Sequence, residues 1–298
     1  MKSILIVGCG DIALRTIPLL TQRHRVFALV RNSAYLEKLR ALGATPLLGD
    51  LDDRSSLTRL AGLADVVLHL APPNSGKFEF TDSRTRNLLA ALSRANLPQR
   101  LIYISTSGVY GDCGGAVVRE TRSISPQNAR AQRRADAENQ IRTWAKRSGV
   151  SASILRVPGI YAADRLPLER IRQGTPAIVA NEDSYTNHIH ADDLARIVVA
   201  ALRYAKPNRV YHAVDDGEIK MGDYFDAVAN AYRLPKPPRI SRTEAQRVLS
   251  PMLLSFMNES RRLSNERMKR ELKVVLRYPT VADMLSETGQ HLPISARQ

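Results

Sequence analysis

The chain has 298 residues, enough for one large domain or two interlocked ones. Its composition, 44% apolar and 24% charged, lies close to the globular average and excludes a disordered, collagenous or coiled-coil chain. The net charge is +15, and residues 233–277 alone hold twelve basic and four acidic side chains. Such a stretch is either a solvated basic surface or a stripe that attracts nucleic acid, anionic lipid or a phosphorylated ligand. The longest apolar runs, ILIVG and ADVVLHLA, are too short to span a bilayer. The N-terminal MKSILIVGCGD reads as a strand entering a glycine turn rather than as a signal peptide. Two cysteines, Cys9 and Cys113, cannot build a disulfide framework or a multi-cysteine metal site. The expectation is a cytoplasmic protein with no membrane contact.

Along the chain, short aliphatic runs alternate with helix-period segments. SILIV, RVFALV, ATPLL, DVVLHL, RLIYIS and SASILRV predict buried strands. DIALRTIPLLTQR, SAYLEKLRALG, RSSLTRLAGL, TDSRTRNLLAALSRA and NARAQRRADAENQIRTWAKRSG predict helices, two of them closed by Gly43 and Gly149. Continuously apolar strands alternating with helices predict an α/β fold, a Rossmann-type doubly wound parallel sheet covered on both faces. After about residue 160 the rhythm changes. A helix over HADDLARIVVAALRYA and a strand over RVYHAV return to the sheet; MGDYFDAVANAYRL is a helix ended by Pro235; TEAQRVLSPMLLSFM reads as one basic helix. The expected organisation is a nucleotide-binding domain over 1–161, completed by about 188–214, with a small C-terminal substrate cap from about 162–187 and 215–298.

The first chemical signal is Gly8-Cys9-Gly10-Asp11-Ile12-Ala13, directly after the first strand and opening a helix. Glycines there permit a tight turn and close approach of a pyrophosphate, which the helix N-terminus attracts. Cys9 reads as a small filler rather than a reactive thiol. The second signal is an absence. An NAD site carries an acid about 20 residues beyond the glycines, to hold the ribose 2′-hydroxyl. Residues 26–36 contain none; Arg31 stands in its place, followed by Asn32 and Ser33. A guanidinium suits a 2′-phosphate, so NADP(H) is expected over NAD(H).

Further strings run in order over nearly the whole chain: GDLDD, HLAPP, ISTSGVYGD, TRNLLAAL, ILRVPGIYAAD, NHIHADDLARIVVAAL, VYHAVDDG and MKREL…YPTVADML. Together they resemble the extended short-chain dehydrogenase/reductase family, which includes the NAD-dependent epimerases and dehydratases. The resemblance implies that Asp50 and Leu51 border the adenine, and that Ala71, Pro72 and Pro73 pass the nicotinamide ribose and phosphates. It implies that Thr106 hydrogen-bonds substrate, that Ser107 and Tyr110 stand beside it, that Pro158 to Tyr161 form the loop beside the nicotinamide, and that Asn187 and His190 close over substrate.

One match fails. The family carries a Tyr and a Lys four residues apart on the helix after VYG, where the lysine helps the phenol exchange a proton. Aligned on Glu138, those positions are Arg130 and Arg134. Arginine is a poor proton carrier at neutral pH, so the chain resembles the atypical branch of the family, which keeps the fold and lacks the pair. The two arginines are either exposed and paired with Asp136 or Glu138, or they bind an anionic group of substrate or cofactor. The leading expectation is an NADP-dependent oxidoreductase or epimerase acting on a small polar or anionic molecule, with Thr106, Arg130 and Arg134 at the chemistry. A proton would then come from Tyr110, Tyr161, His190 or water. A non-catalytic dinucleotide sensor and nucleic-acid binding through the basic cap are the alternatives. No metal set is discernible, since His188 and His190 face one way with no third ligand. Arginines on the helices near 81–96 and 127–148 leave monomer and homodimer both open.

Overall fold

A computed structural model describes residues 1–74 and 80–290. Strands β1 (Ser3–Val7), β2 (Arg25–Val30), β3 (Thr45–Leu48), β4 (Val66–His69) and β5 (Arg100–Thr106) form one parallel sheet with Ser151–Val157 and Arg209–His212. The order across the sheet is Arg209–His212, Ser151–Val157, β5, β4, β1, β2, β3, so it reverses at β1. That reversal opens a crevice at the carboxyl ends of β1 and β4, the usual ligand position in such sheets.

The period-two alternation of each strand assigns its residues to two cores. Ile4 and Ile6 face helix α1 (Asp11–Thr21) and the helix Ala191–Tyr204 through Ile17, Leu20, Leu194 and Ile197. Helix α2 (Leu36–Ala41) links β2 to β3, and Leu5 and Val7 face helices α3 (Ser83–Leu92) and α4 (Ala129–Ser148) through Leu88, Leu92, Ala137 and Ile141. Both faces are therefore dry, which is why the strands read as unbroken apolar runs. Asn128 caps α4 by accepting from the Ala131 N–H at 2.9 Å, and Gly149 ends it in the left-handed region at φ +73°.

Three expected helices differ. RSSLTRLAGL forms a 3-10 helix, Arg54–Leu60, in which Ser56 Oγ donates to the Asp53 carbonyl and competes with an α-turn. The stretch 242–257 is two helices, Arg242–Val248 and Pro251–Met257: Pro251 cannot sit inside a helix, and it begins the second one. The helix Met221–Ala231 stops well short of Pro235, because the chain turns out through Arg233 at φ +54° before the restricted residue Leu234.

The basic stretch 233–277 is largely engaged within the molecule. Arg239 pairs with Asp226 at 2.9 Å, Arg261 with Glu259 at 2.8 Å, Arg262 with Glu218 at 3.2 Å and Lys269 with Asp216 at 2.5 Å. Its acidic partners lie mostly outside the stretch, so a local count of charges overstates what the surface presents.

Candidate functional site

The glycine turn lies where the crevice opens. Gly8 adopts φ +96°, and a Cβ there would come within 2.4 Å of the Ala71 backbone nitrogen, so only glycine lets the β1 and β4 exits meet. At Gly10 a Cβ would meet nothing within 4 Å. Gly10 is the N-cap of α1 and gives no side-chain cap, which leaves the first-turn N–H groups to a ligand. A groove of about 230 Å³ runs from here, lined by Gly8, Arg31, Asp50, Leu51, Ala71 and Pro72. Cys9 also lines it; its Sγ donates to the Leu29 carbonyl at 3.2 Å, and burial pushes the thiol up to about 12, so it is an inert filler.

Other predicted cofactor residues flank this groove. Asn32 caps the turn Ser33–Tyr35 by accepting from the Ala34 N–H, and Asp11 pairs with Arg15 and Arg165 at the helix entrance. Ile12 packs against the core beneath the turn. Arg31 holds its side chain 69% exposed at the rim, 4.0 Å from Asp50. The sequence reading missed Arg84, which it counted only among the helix arginines that leave monomer and homodimer both open. In the structure Arg84 lines the groove, pairs with Asp52 at 2.6 Å and donates to the Pro72 and Pro73 carbonyls.

A larger cleft of about 590 Å³ continues past Pro72 and Pro73, lined by Thr106, Ser107, Pro158, Asn187 and His188 among others. Five arginines line it, Arg130, Arg133, Arg134, Arg170 and Arg261, against one carboxylate, Glu259. Arg130 lies 4.2 Å over the Phe256 ring, and Arg134 donates to the Ile104 carbonyl at 2.7 Å and the Tyr103 hydroxyl at 3.0 Å. Burial lowers the pKa of both Arg130 and Arg170, the direction expected of cations short of counter-charge. The Thr106 hydroxyl oxygen accepts from the Gly108 N–H at 3.2 Å, which leaves its own O–H to donate into the cleft. Arg130 and Arg134 thus both line the cleft, Arg134 half-buried and Arg130 still exposed to solvent. Asp136 is engaged elsewhere, by the Asp82 N–H and Gln140, and Glu138 by Arg156.

Three predicted substrate residues do not reach the cleft. The Tyr110 hydroxyl is buried in a chain in which Arg156 donates to it at 2.6 Å and it meets His212 Nε2 at 2.7 Å. Tyr161 is buried behind the wall, edge-on to His188 and His190. His190 caps the helix Ala191–Tyr204, accepting from the Asp192 N–H, and its ring lies 4.1 Å from that of Tyr278. Asn187 does line the cleft, but its carboxamide ties down the Arg261 carbonyl and the Leu263 N–H. The sequence pattern had favoured His190; it is His188 that opens on the cleft. No local signal separates the two, because they lie two apart on one strand and share a face; in the structure His188 pairs in register with Gly159, beside the cleft-lining Pro158.

Burial also gives the fold a pH signature. It pushes His69 and His212 down to about 3 and His188 down to about 4. Their folded pKa values lie below the unfolded one, so the unfolded chain binds more protons in that window and stability falls as pH falls below about 6.5. Asp215 works in the opposite sense: burial raises it to about 8, and its contribution is lost as pH rises toward that value. Asp82 and Asp183, also raised by burial, add to it. Three histidines against Asp215 predict a loss on the order of 2–3 kcal/mol per pH unit between about 6 and 5, and a shallow decline above 6.5. Urea midpoints measured from pH 5 to 8 check this; a flat profile down to pH 5 would contradict it.

A family model described as NAD(P)H-binding matches residues 8–205. The chain belongs to that family. A functionally unknown conserved protein from Silicibacter pomeroyi DSS is 28% identical, with 97% of this chain and 99% of that one covered and a TM-score of 0.79. A UDP-glucuronic acid 4-epimerase from Bacillus cereus, 19% identical over 97% of this chain and 98% of that one, has the same fold at a TM-score of 0.76. A 4-hydroxy-2-methyl-3-oxo-4-farnesyl-3,4-dihydroquinoline-1-oxide ketoreductase from Stigmatella aurantiaca is 25% identical over 239 residues, 76% of this chain and 71% of that protein. Curated relatives of this NAD(P)H-binding chain thus include two reductases and a dehydratase. Among the described residues, no helix is long and apolar enough to cross a membrane.

Proposed function

We propose that this chain is an NADP(H)-dependent oxidoreductase acting on a small anionic carbonyl or hydroxy compound. The observation that carries the proposal is the continuity of the glycine-turn groove with a cleft lined by five arginines, one carboxylate and the Thr106 hydroxyl. The residues present fit a dinucleotide, since the Gly10 position offers open space at a helix N-terminus. When bound, the nicotinamide accepts or donates a hydride. The α1 N–H groups hold the pyrophosphate, Arg31 the 2′-phosphate, Asp50 and Leu51 the adenine side, and Ala71, Pro72, Pro73 and Pro158 line the path to the nicotinamide. Thr106 donates to the reacting oxygen. Arg130 and Arg134 carry charge toward a carboxylate or phosphate of the substrate, a bidentate role that lysine would not reproduce.

The cofactor preference is tested by Arg31→Asp. NADPH affinity is expected to fall about tenfold to a hundredfold, the size of one charge-assisted contact, while NADH affinity improves. Fluorescence titration of both cofactors measures it. Equal or tighter NADH binding by the unmutated chain rejects the assignment. A second reading, a dinucleotide sensor without turnover, draws on Arg130 and Arg134 occupying the positions of the family's proton-transfer pair. NADPH oxidation in the presence of a panel of 2-oxo acids separates the two. Nucleic-acid binding loses its support once the 233–277 charges are seen paired with acidic neighbours.

A further inference from the structure

With arginine in place of the Tyr/Lys pair, the cleft needs another group to exchange a proton. The side chains lining it that carry an exchangeable proton at accessible pH are few. Glu259 is held by Asn128 at 3.0 Å and by Arg261 at 2.8 Å. Thr106, Ser107 and Thr186 are aliphatic hydroxyls, which do not ionise in this range. Tyr185 belongs to a short antiparallel pair with Ile219–Lys220, beneath Lys220 and Arg262 and outside the main sheet. His188 is tied to the carboxyl edge of the sheet. Its strand pairs with Gly159–Tyr161, directly after Val157 and Pro158, and its Nε2 lies 3.8 Å from where a side chain at Gly159 would begin.

We propose that His188 is the proton-exchange group of this cleft, a role that rests on the oxidoreductase reading above. In the oxidative direction the substrate C–H bond breaks with its electron pair passing as hydride to the nicotinamide. The O–H bond breaks with its proton passing to His188, and the C=O bond forms. Reduction reverses each transfer. The ring is held for this work: Tyr224 lies against one side at a centroid distance of 4.3 Å, and Tyr161 meets it edge-on at 85°. The Asp215 N–H donates to the His188 carbonyl at 2.8 Å and fixes the backbone. The charged and titratable groups around it are Tyr161, Tyr224 and Asp215 behind, and Tyr185, Glu259 and the cleft arginines in front. Burial favours the neutral, proton-accepting ring in the free protein. A bound anion beside the ring favours its charged form and raises the proton affinity of the imidazole, so the group is readied when substrate arrives.

The test uses malonate, an unreactive dianion, on the full chain with NADP+ present. Histidine ring signals are followed by NMR with ring-labelled histidine, the His188 signal being assigned by its loss in His188→Gln. Malonate is expected to raise the His188 pKa by about one unit or more. Malonate is itself partly protonated near pH 5.5, so calorimetry there in two buffers of different ionisation enthalpy should show less net proton release on malonate binding in the unmutated chain and in Tyr185→Phe than in His188→Gln, the difference being the proton that His188 takes up. Malonate binding with an unmoved His188 signal, or with the same proton release in His188→Gln as in the unmutated chain, overturns the assignment and leaves the anionic-substrate reading standing. No malonate binding at all overturns both. The NMR titration is made on the unmutated protein and decides the matter even where His188→Gln folds poorly.

Discussion

Replacing Gly10 by valine is expected to abolish dinucleotide binding and to leave the melting temperature within a few degrees of the unmutated chain. Gly10 has φ −82° and ψ −166°, an extended conformation that a valine adopts readily. The new side chain would meet no protein atom within 4 Å of its Cβ, so the fold has no reason to resist it. It would stand over the first-turn N–H groups of α1, where a pyrophosphate must come within hydrogen-bond distance. Gly8 is the counter-case. An alanine there would place Cβ 2.4 Å from the Ala71 nitrogen at φ +96°, so Gly8→Ala is expected to lower stability sharply and binding with it. Circular-dichroism melts and NADPH fluorescence titrations on both variants separate the two roles. Normal NADPH affinity in Gly10→Val would move the cofactor site elsewhere.

The largest loss of stability is expected from Glu138→Gln. Glu138 and Arg156 form a bidentate pair at 3.0 and 2.7 Å with side chains 3% and 5% exposed. Arg156 also donates to the Tyr110 hydroxyl, which meets His212 Nε2, while His212 Nδ1 lies 2.9 Å from the Ser264 carbonyl. That geometry assigns the tautomer: Nδ1 donates to Ser264 and Nε2 accepts from Tyr110. Removing the carboxylate leaves a buried guanidinium without its counter-charge, which costs about 3–5 kcal/mol. Tyr110→Phe removes one hydroxyl from the chain and should cost about 1–3 kcal/mol. Urea denaturation measures both. A loss below about 1 kcal/mol for Glu138→Gln would show that water or a rotamer change rescues the arginine. These effects also explain why the tyrosine of the VYG string is not available to substrate: its hydroxyl already links α4, the central sheet and the segment around Ser264.

The sequence by itself determined the strands, the glycine turn and the absence of an acid after β2, because these are local patterns. A strand buried on both faces must be apolar throughout, and a turn at φ +96° against Ala71 must be glycine. It also placed Arg130 and Arg134 on a common helix face, four residues apart. Long-range contacts decided the rest. Asp183 and Asp226 reach Arg239 from other elements, so the charge of 233–277 could not be judged from its own residues. His188 and His190 share one strand and one face. Only the packing around that strand turned one toward the cleft and the other onto the helix end at Asp192. Arg84 likewise reads as an ordinary helix charge until Asp52, 32 positions away, draws it to the rim of the groove. Side-chain partners distant in sequence carry no periodicity, and a local pattern has no means of encoding them.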